Sequence, residues 1–85
     1  MTYNVVLSQE AEKDLESLDK HAINRIVIKL DSIREQPQNY VKRLVGVPLY
    51  SLLVGDYRVI MDIKNKEIII FVIKIGHRSR VYNDV

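Results

Sequence analysis

Arg58 stands two residues beyond a Gly-Asp pair in "YSLLVGDYR", and a second basic cluster, "GHRSRVY", brings His77, Arg78, Arg80 and Tyr82 near the C-terminal end. Arginine grips phosphate oxygens through paired N–H donors and keeps its charge at physiological pH. Histidine or tyrosine beside it can move protons or stack on a base. Such a set suits a phosphate. Each residue also has an ordinary reading: Arg58 as an ion-pair partner of Asp62, His77 as a turn residue, Tyr82 as a ring over a sheet edge, "RSR" as a solvated tail.

The missing chemistry narrows the choice. No carboxylate pair suggests glycoside hydrolysis, and no Gly-rich phosphate loop occurs among only three glycines. Absence of cysteine removes thiol nucleophiles, disulfides and thiolate metal sites, and two histidines alone do not make a usual structural zinc site. No metal or cofactor is expected.

These residues must be positioned by a single domain, because 85 residues leave no room for a second. Tyr3 to Leu7 reads as a first strand. Ser8 then caps a helix with Glu10 and Glu12 in its first turn, and Ala11, Leu15 and Leu18 on one face. Asp19 caps a second helix, in which Ile23, Ile26, Val27, Leu30 and Ile33 make a 3.6-residue stripe that Pro37 ends. After the connector "QNYVKRLVGV", with Lys42 and Arg43, the period becomes strand-like over Leu49–Val54, Tyr57–Ile63 and Glu67–Ile75. "VGDY" and "KNKE" mark tight hairpins. The order β-α-α-β-β-β predicts an α+β fold: a mostly antiparallel sheet with a two-helix hairpin packed on one face.

A two-residue turn at Gly55-Asp56 sets Leu53 opposite Arg58, and a turn at Asn65-Lys66 sets Arg58 opposite Ile73. One face then holds Leu52, Val54, Tyr57, Val59, Met61, Ile68, Ile70 and Val72, and is assigned to the helices. The other holds Ser51, Leu53, Arg58, Ile60, Asp62, Ile69, Phe71 and Ile73. With Ile60, Ile69 and Phe71 outward, this second face is an apolar patch of the kind that marks a binding surface.

Apolar content of 47% is ordinary for a folded domain. Residues 1–41 carry five Lys/Arg against seven Asp/Glu, a balance of −2; residues 42–85 carry eight against four, or +4. The asymmetry points to an anionic partner for the second half. No apolar run approaches a membrane span, and "MTYNVVLSQE" lacks a signal-peptide pattern, so a cytoplasmic protein is expected.

Taken together, "KRLVG" (42–46), "VGDYRVI" (54–60) and "IGHRSRVY" (75–82), in this order behind a strand and a helix pair, resemble the RelE/ParE superfamily of type II toxin–antitoxin toxins. The resemblance spans nearly the whole chain. It implies a RelE-like fold and a metal-free, ribosome-dependent mRNA endoribonuclease that inhibits translation and is neutralised by a RelB-like antitoxin. It further implies that Arg58 and Arg78 stabilise the phosphate and that Tyr82 stacks on or assists at the cleaved nucleotide. His77, Arg80, Lys42, Arg43 and Lys74 would be auxiliary or RNA-binding, and Ile60, Ile69 or Phe71 would meet the antitoxin. Face sorting leaves Arg78 on the wrong side unless Gly76 breaks the register. Strongly active RelE-like nucleases carry basic residues where Ser51 and Leu53 stand, so two readings remain beside the nuclease: a ParE-like inhibitor of DNA gyrase, and a catalytically weak member that mainly binds its antitoxin.

Overall fold

Ser8 and Asp19 start the two helices through the bonds their side chains predict. In the computed structural model, which describes residues 1–79, Ser8 Oγ accepts from Ala11 N at 3.0 Å and Asp19 Oδ1 accepts from Ala22 N at 2.8 Å. Each bond satisfies an amide that the helix itself leaves unpaired. The elements are β1 (Asn4–Leu7), α1 (Gln9–Glu16), α2 (Lys20–Ser32), a 3-10 turn at Pro37–Asn39, β2 (Lys42–Arg43), β3 (Tyr50–Val54), β4 (Tyr57–Lys64) and β5 (Ile69–His77).

The strands form one sheet in the order β1-β5-β4-β3-β2. β1 runs parallel to β5, and every other pair is antiparallel. This is the α+β fold that the sequence predicts, with one addition: the connector contributes β2, a two-residue edge strand. Ala11, Ile26, Leu30 and Ile33 of the helical segment pack on Leu52, Val54, Val59, Met61, Ile63, Ile70, Val72 and Ile75 of the sheet. The face assigned to the helices is therefore the core face. Ile68 is the exception, because it lies in the β4–β5 turn with φ +56° rather than in a strand.

The β3–β4 hairpin has the expected register, with Val54 opposite Tyr57 and Leu53 opposite Arg58. The β4–β5 hairpin does not. Its turn takes four residues, from Asn65 to Ile68, and Lys64 pairs with Ile69. A bulge then lets Met61 pair with Val72 and Ile60 with Lys74, leaving Ile73 as the extra residue. A bulge of this kind reverses the alternation of side chains beyond it. Hence Ile75 enters the core, Lys74 and Gly76 turn to the outer face, and Arg58 stands opposite Gly76 instead of Ile73.

The outer face is also less open than its composition predicts. Ile60 is fully buried, because Leu44, Val47 and Leu49 of the connector fold over it as a second small core. An apolar connector beside an apolar sheet face buries both. Ile60 is thus excluded as an exposed contact for a partner. Ile69, Phe71 and Ile73 are half-buried.

Candidate functional site

Arg58 is the second residue of β4, held beside the hairpin tip by the Val54–Tyr57 pair. Its Nη1 donates to Ser51 Oγ at 3.2 Å, two residues along β3 from its direct partner Leu53. Ser51 is itself buried. On the other flank stands Gly76, which brings no side chain to crowd the arginine stem.

Register supplies the neighbours. Lys42 pairs with Ser51, Ser51 with Ile60, and Ile60 with Lys74, so a single row across four strands places Lys42 and Lys74 on the Arg58 face. Directly paired residues share a face. Lys74 Nζ is bridged to Glu10 Oε2 of α1 at 2.6 Å. Arg78 lies in the turn after β5, where its backbone N–H donates to the Asp56 carbonyl at 2.9 Å, tying it to the tip of the β3–β4 hairpin.

Two auxiliary candidates fall elsewhere. Arg43 pairs with Tyr50, whose ring packs against the main core, so Arg43 has the opposite parity to Arg58. His77 pairs with Tyr57 and meets its ring edge-on at a centroid distance of 6.2 Å. Its Nδ1 lies 2.8 Å from Ser79 Oγ and accepts from Ser79 N at 3.3 Å, so the imidazole shapes the turn after β5. Arg80 and Tyr82 lie outside the described residues. Among the described residues no group of three or more His, Asp or Glu side chains could hold a metal ion.

The bulge and the Ser51–Arg58 bond are invisible in the strand pattern. The cover over Ile60 had a signal, however. Leu44, Val47 and Leu49 make the connector apolar where a solvated loop would be polar.

A second concavity lies on the helix side. Val5, Leu7, Leu15, Val27 and Leu30, with Asn4, Asp31 and Arg34, line a cleft of about 390 Å³ between β1 and the helices. Val27 belongs to the predicted core stripe of α2, yet 49% of it is exposed. The stripe is wider than the core it serves.

Two helices packed on one face of a five-stranded mixed sheet make the α+β fold of the RelE structures. The family described as the ParE toxin of the type II toxin–antitoxin system parDE matches residues 5–82, and the chain belongs to that family, within the RelE/ParE superfamily. Among solved structures, a chain of the archaeal RelE–RelB complex from Pyrococcus horikoshii OT3 is 32% identical, with 95% of this chain and 100% of that chain covered and a TM-score of 0.78. A chain of the RelBE2 toxin–antitoxin complex from Mycobacterium tuberculosis shares the fold at 21% identity and a TM-score of 0.84, covering 92% and 100%. The intact E. coli RelBE complex does so at 23% and 0.78, covering 92% and 99%. No curated protein matches the chain.

Proposed function

We propose that this toxin is a metal-free, ribosome-dependent mRNA endoribonuclease of the cytoplasm, which arrests translation until a RelB-like antitoxin covers it. The observation that carries the reading is the placement of Arg58: a guanidinium bonded to Ser51 on the outer sheet face, with Lys42 and Lys74 in the neighbouring row and the Arg78 backbone tied to the adjacent hairpin tip. In the reaction the ribose 2′-oxygen attacks the adjacent phosphorus and the bond to the 5′-oxygen breaks. A 2′,3′-cyclic phosphate forms, and the proton lost from the 2′-hydroxyl is balanced by one delivered to the departing 5′-oxygen.

Arg58 stabilises the charge that gathers on the pentavalent phosphorus. Arg78 shares that charge or orients the leaving oxygen, and Tyr82 stacks on the nucleotide. Lys42 and Lys74 attract the RNA backbone, Lys74 with its charge partly offset by Glu10. The antitoxin meets the half-buried Ile69 and Phe71 of the outer face and the cleft beside β1.

Primer extension on ribosome-bound mRNA tests this. The purified protein cleaves, and Arg58→Ala and Arg78→Ala, each folded as wild type by circular dichroism, lose about 10²–10³-fold in rate. Undiminished cleavage in both variants would overturn their roles.

The family match favours one other reading, since it is named for ParE toxins. In this second reading β3, which offers serine and leucine rather than cations beside Arg58, belongs to a face that binds without cleaving, and the target would be DNA gyrase. A supercoiling assay beside the primer extension separates the two: inhibited gyrase with intact mRNA supports the second reading alone.

A further inference from the structure

The outer face of β3 is where a second cation would be expected next to Arg58, and Ser51 stands there instead. Its hydroxyl is not idle. A guanidinium can only donate hydrogen bonds, so a lysine or arginine at position 51 would repel it, whereas a serine oxygen can accept from it. Arg58 Nη1 does donate to Ser51 Oγ, at 3.2 Å. Because Arg58 is paired with Leu53, that bond runs diagonally, two residues along β3 and away from the hairpin tip. The lean brings the guanidinium toward the row in which Lys42, Ser51, Ile60 and Lys74 stand side by side. Ser51 is 5% exposed and Ile60 beside it is fully covered, so the acceptor sits on a fixed floor and faces little competition from water.

We infer that Ser51 is a positioning residue for Arg58: its hydroxyl aims the guanidinium at the middle of the basic face. The aiming itself is a property of the sheet; only its effect on rate rests on the nuclease reading proposed above. The serine thus has a task that the missing cation could not perform. The site gathers its charge from the flanking strands, through Lys42 and Lys74, and uses β3 to orient the arginine between them.

The test compares Ser51→Ala, the isosteric pair Ser51→Thr and Ser51→Val, and Arg58→Ala with wild type. Threonine and valine have nearly the same shape and both suit a strand, so they differ mainly in the hydroxyl. On ribosome-bound mRNA, Ser51→Ala and Ser51→Val are expected to lose about ten-fold in kcat at unchanged KM, as for a misaimed charged group, while Ser51→Thr keeps its rate. Independently of any cleavage, 15N relaxation of the Arg58 Nε–H group should show greater motion in the alanine and valine proteins than in wild type and the threonine protein. Equal Arg58 motion in threonine and valine proteins would overturn the inference, as would a loss of rate shared equally by that pair. If wild type does not cleave, the nuclease reading fails and the Arg58 relaxation data still decide the role of Ser51.

Discussion

Gly55 at the tip of the β3–β4 hairpin has φ +58°, a conformation that side chains disfavour by about 1–2 kcal/mol. A Cβ there would also come within 2.8 Å of Nη1 of Arg25, whose guanidinium lies against the turn from α2. Gly55→Ala is therefore expected to destabilise the fold by about 1–2 kcal/mol, lowering Tm by roughly 4–8 °C per kcal/mol in a domain of this size. The Arg25 tip is flexible and can move aside, so the backbone term dominates. Thermal denaturation of Gly55→Ala in an Arg25→Ala background checks this: most of the loss should persist. Full recovery would mean that the arginine contact, not the φ angle, requires glycine. At the same scale Arg58 and Ile60 show what a strand pattern conveys. Both point outward as the alternation predicts, yet one is partly exposed and the other sealed. The difference lies in Leu44, Val47 and Leu49, residues of a different segment.

Between elements, α1 completes an edge that β1 leaves unfinished. β1 ends at Leu7, opposite Val72, while β5 continues to His77. Two polar groups of β5 beyond that point are met by side chains of α1 and its cap. Ser8 Oγ donates to the Ile73 carbonyl at 2.8 Å, and Asp14 Oδ2 accepts from Ile75 N at 3.0 Å. Since Ile73 is the bulge residue, Ser8 both starts the helix and anchors the irregularity that turns Lys74 and Gly76 to the outer face. Ser8→Ala should cost about 1 kcal/mol for the lost cap and about 1 kcal/mol more for the part-buried carbonyl left without its donor. Urea denaturation measures the total. Hydrogen exchange at residues 73–77 locates it, and uniform loosening across the whole sheet would contradict the local account.

That dependence explains what was legible in the sequence. Helix starts, the α+β order, the β3–β4 register and the core face follow from local caps, turn residues and period. The β4–β5 register does not, because a positive φ at Ile68 and an extra residue at Ile73 leave no mark in an unbroken apolar run. The edge strand at Lys42–Arg43 is equally silent, since two residues carry no period. For the site, the sequence suggests residue types that could bind phosphate, but it does not reveal that Ile60 is covered or that Arg43 and His77 pair with Tyr50 and Tyr57, because those positions depend on pairings made far along the chain.

For the molecule as a whole, charge and greasy surface are separated. Residues 42–85, which supply β2 to β5 and the cations of the outer face, carry the +4 balance, and residues 1–41 carry −2. No helix among the described residues is long and apolar enough to cross a membrane. An exposed apolar surface such as the one on the helix side is the kind that protein partners cover. Within it lies the cleft beside β1, where Val27 remains half exposed next to Leu15 and Leu30. An antitoxin that follows this division would place an apolar helix in the cleft and an acidic segment over the basic face, two modes with opposite salt responses. Val27→Asp sets a charge in the cleft without disturbing the core. It is expected to weaken the complex with the co-expressed antitoxin by about ten-fold or more, to nearly the same degree in low and high salt. Lys42→Glu on the other face should weaken it chiefly in low salt. Calorimetric titration at two salt concentrations distinguishes them, with Tm confirming that each variant is folded. If Val27→Asp binds as wild type does, the cleft is not the seat of the apolar contact, and the open part of the outer face around Val6, Ile69 and Phe71 must provide it.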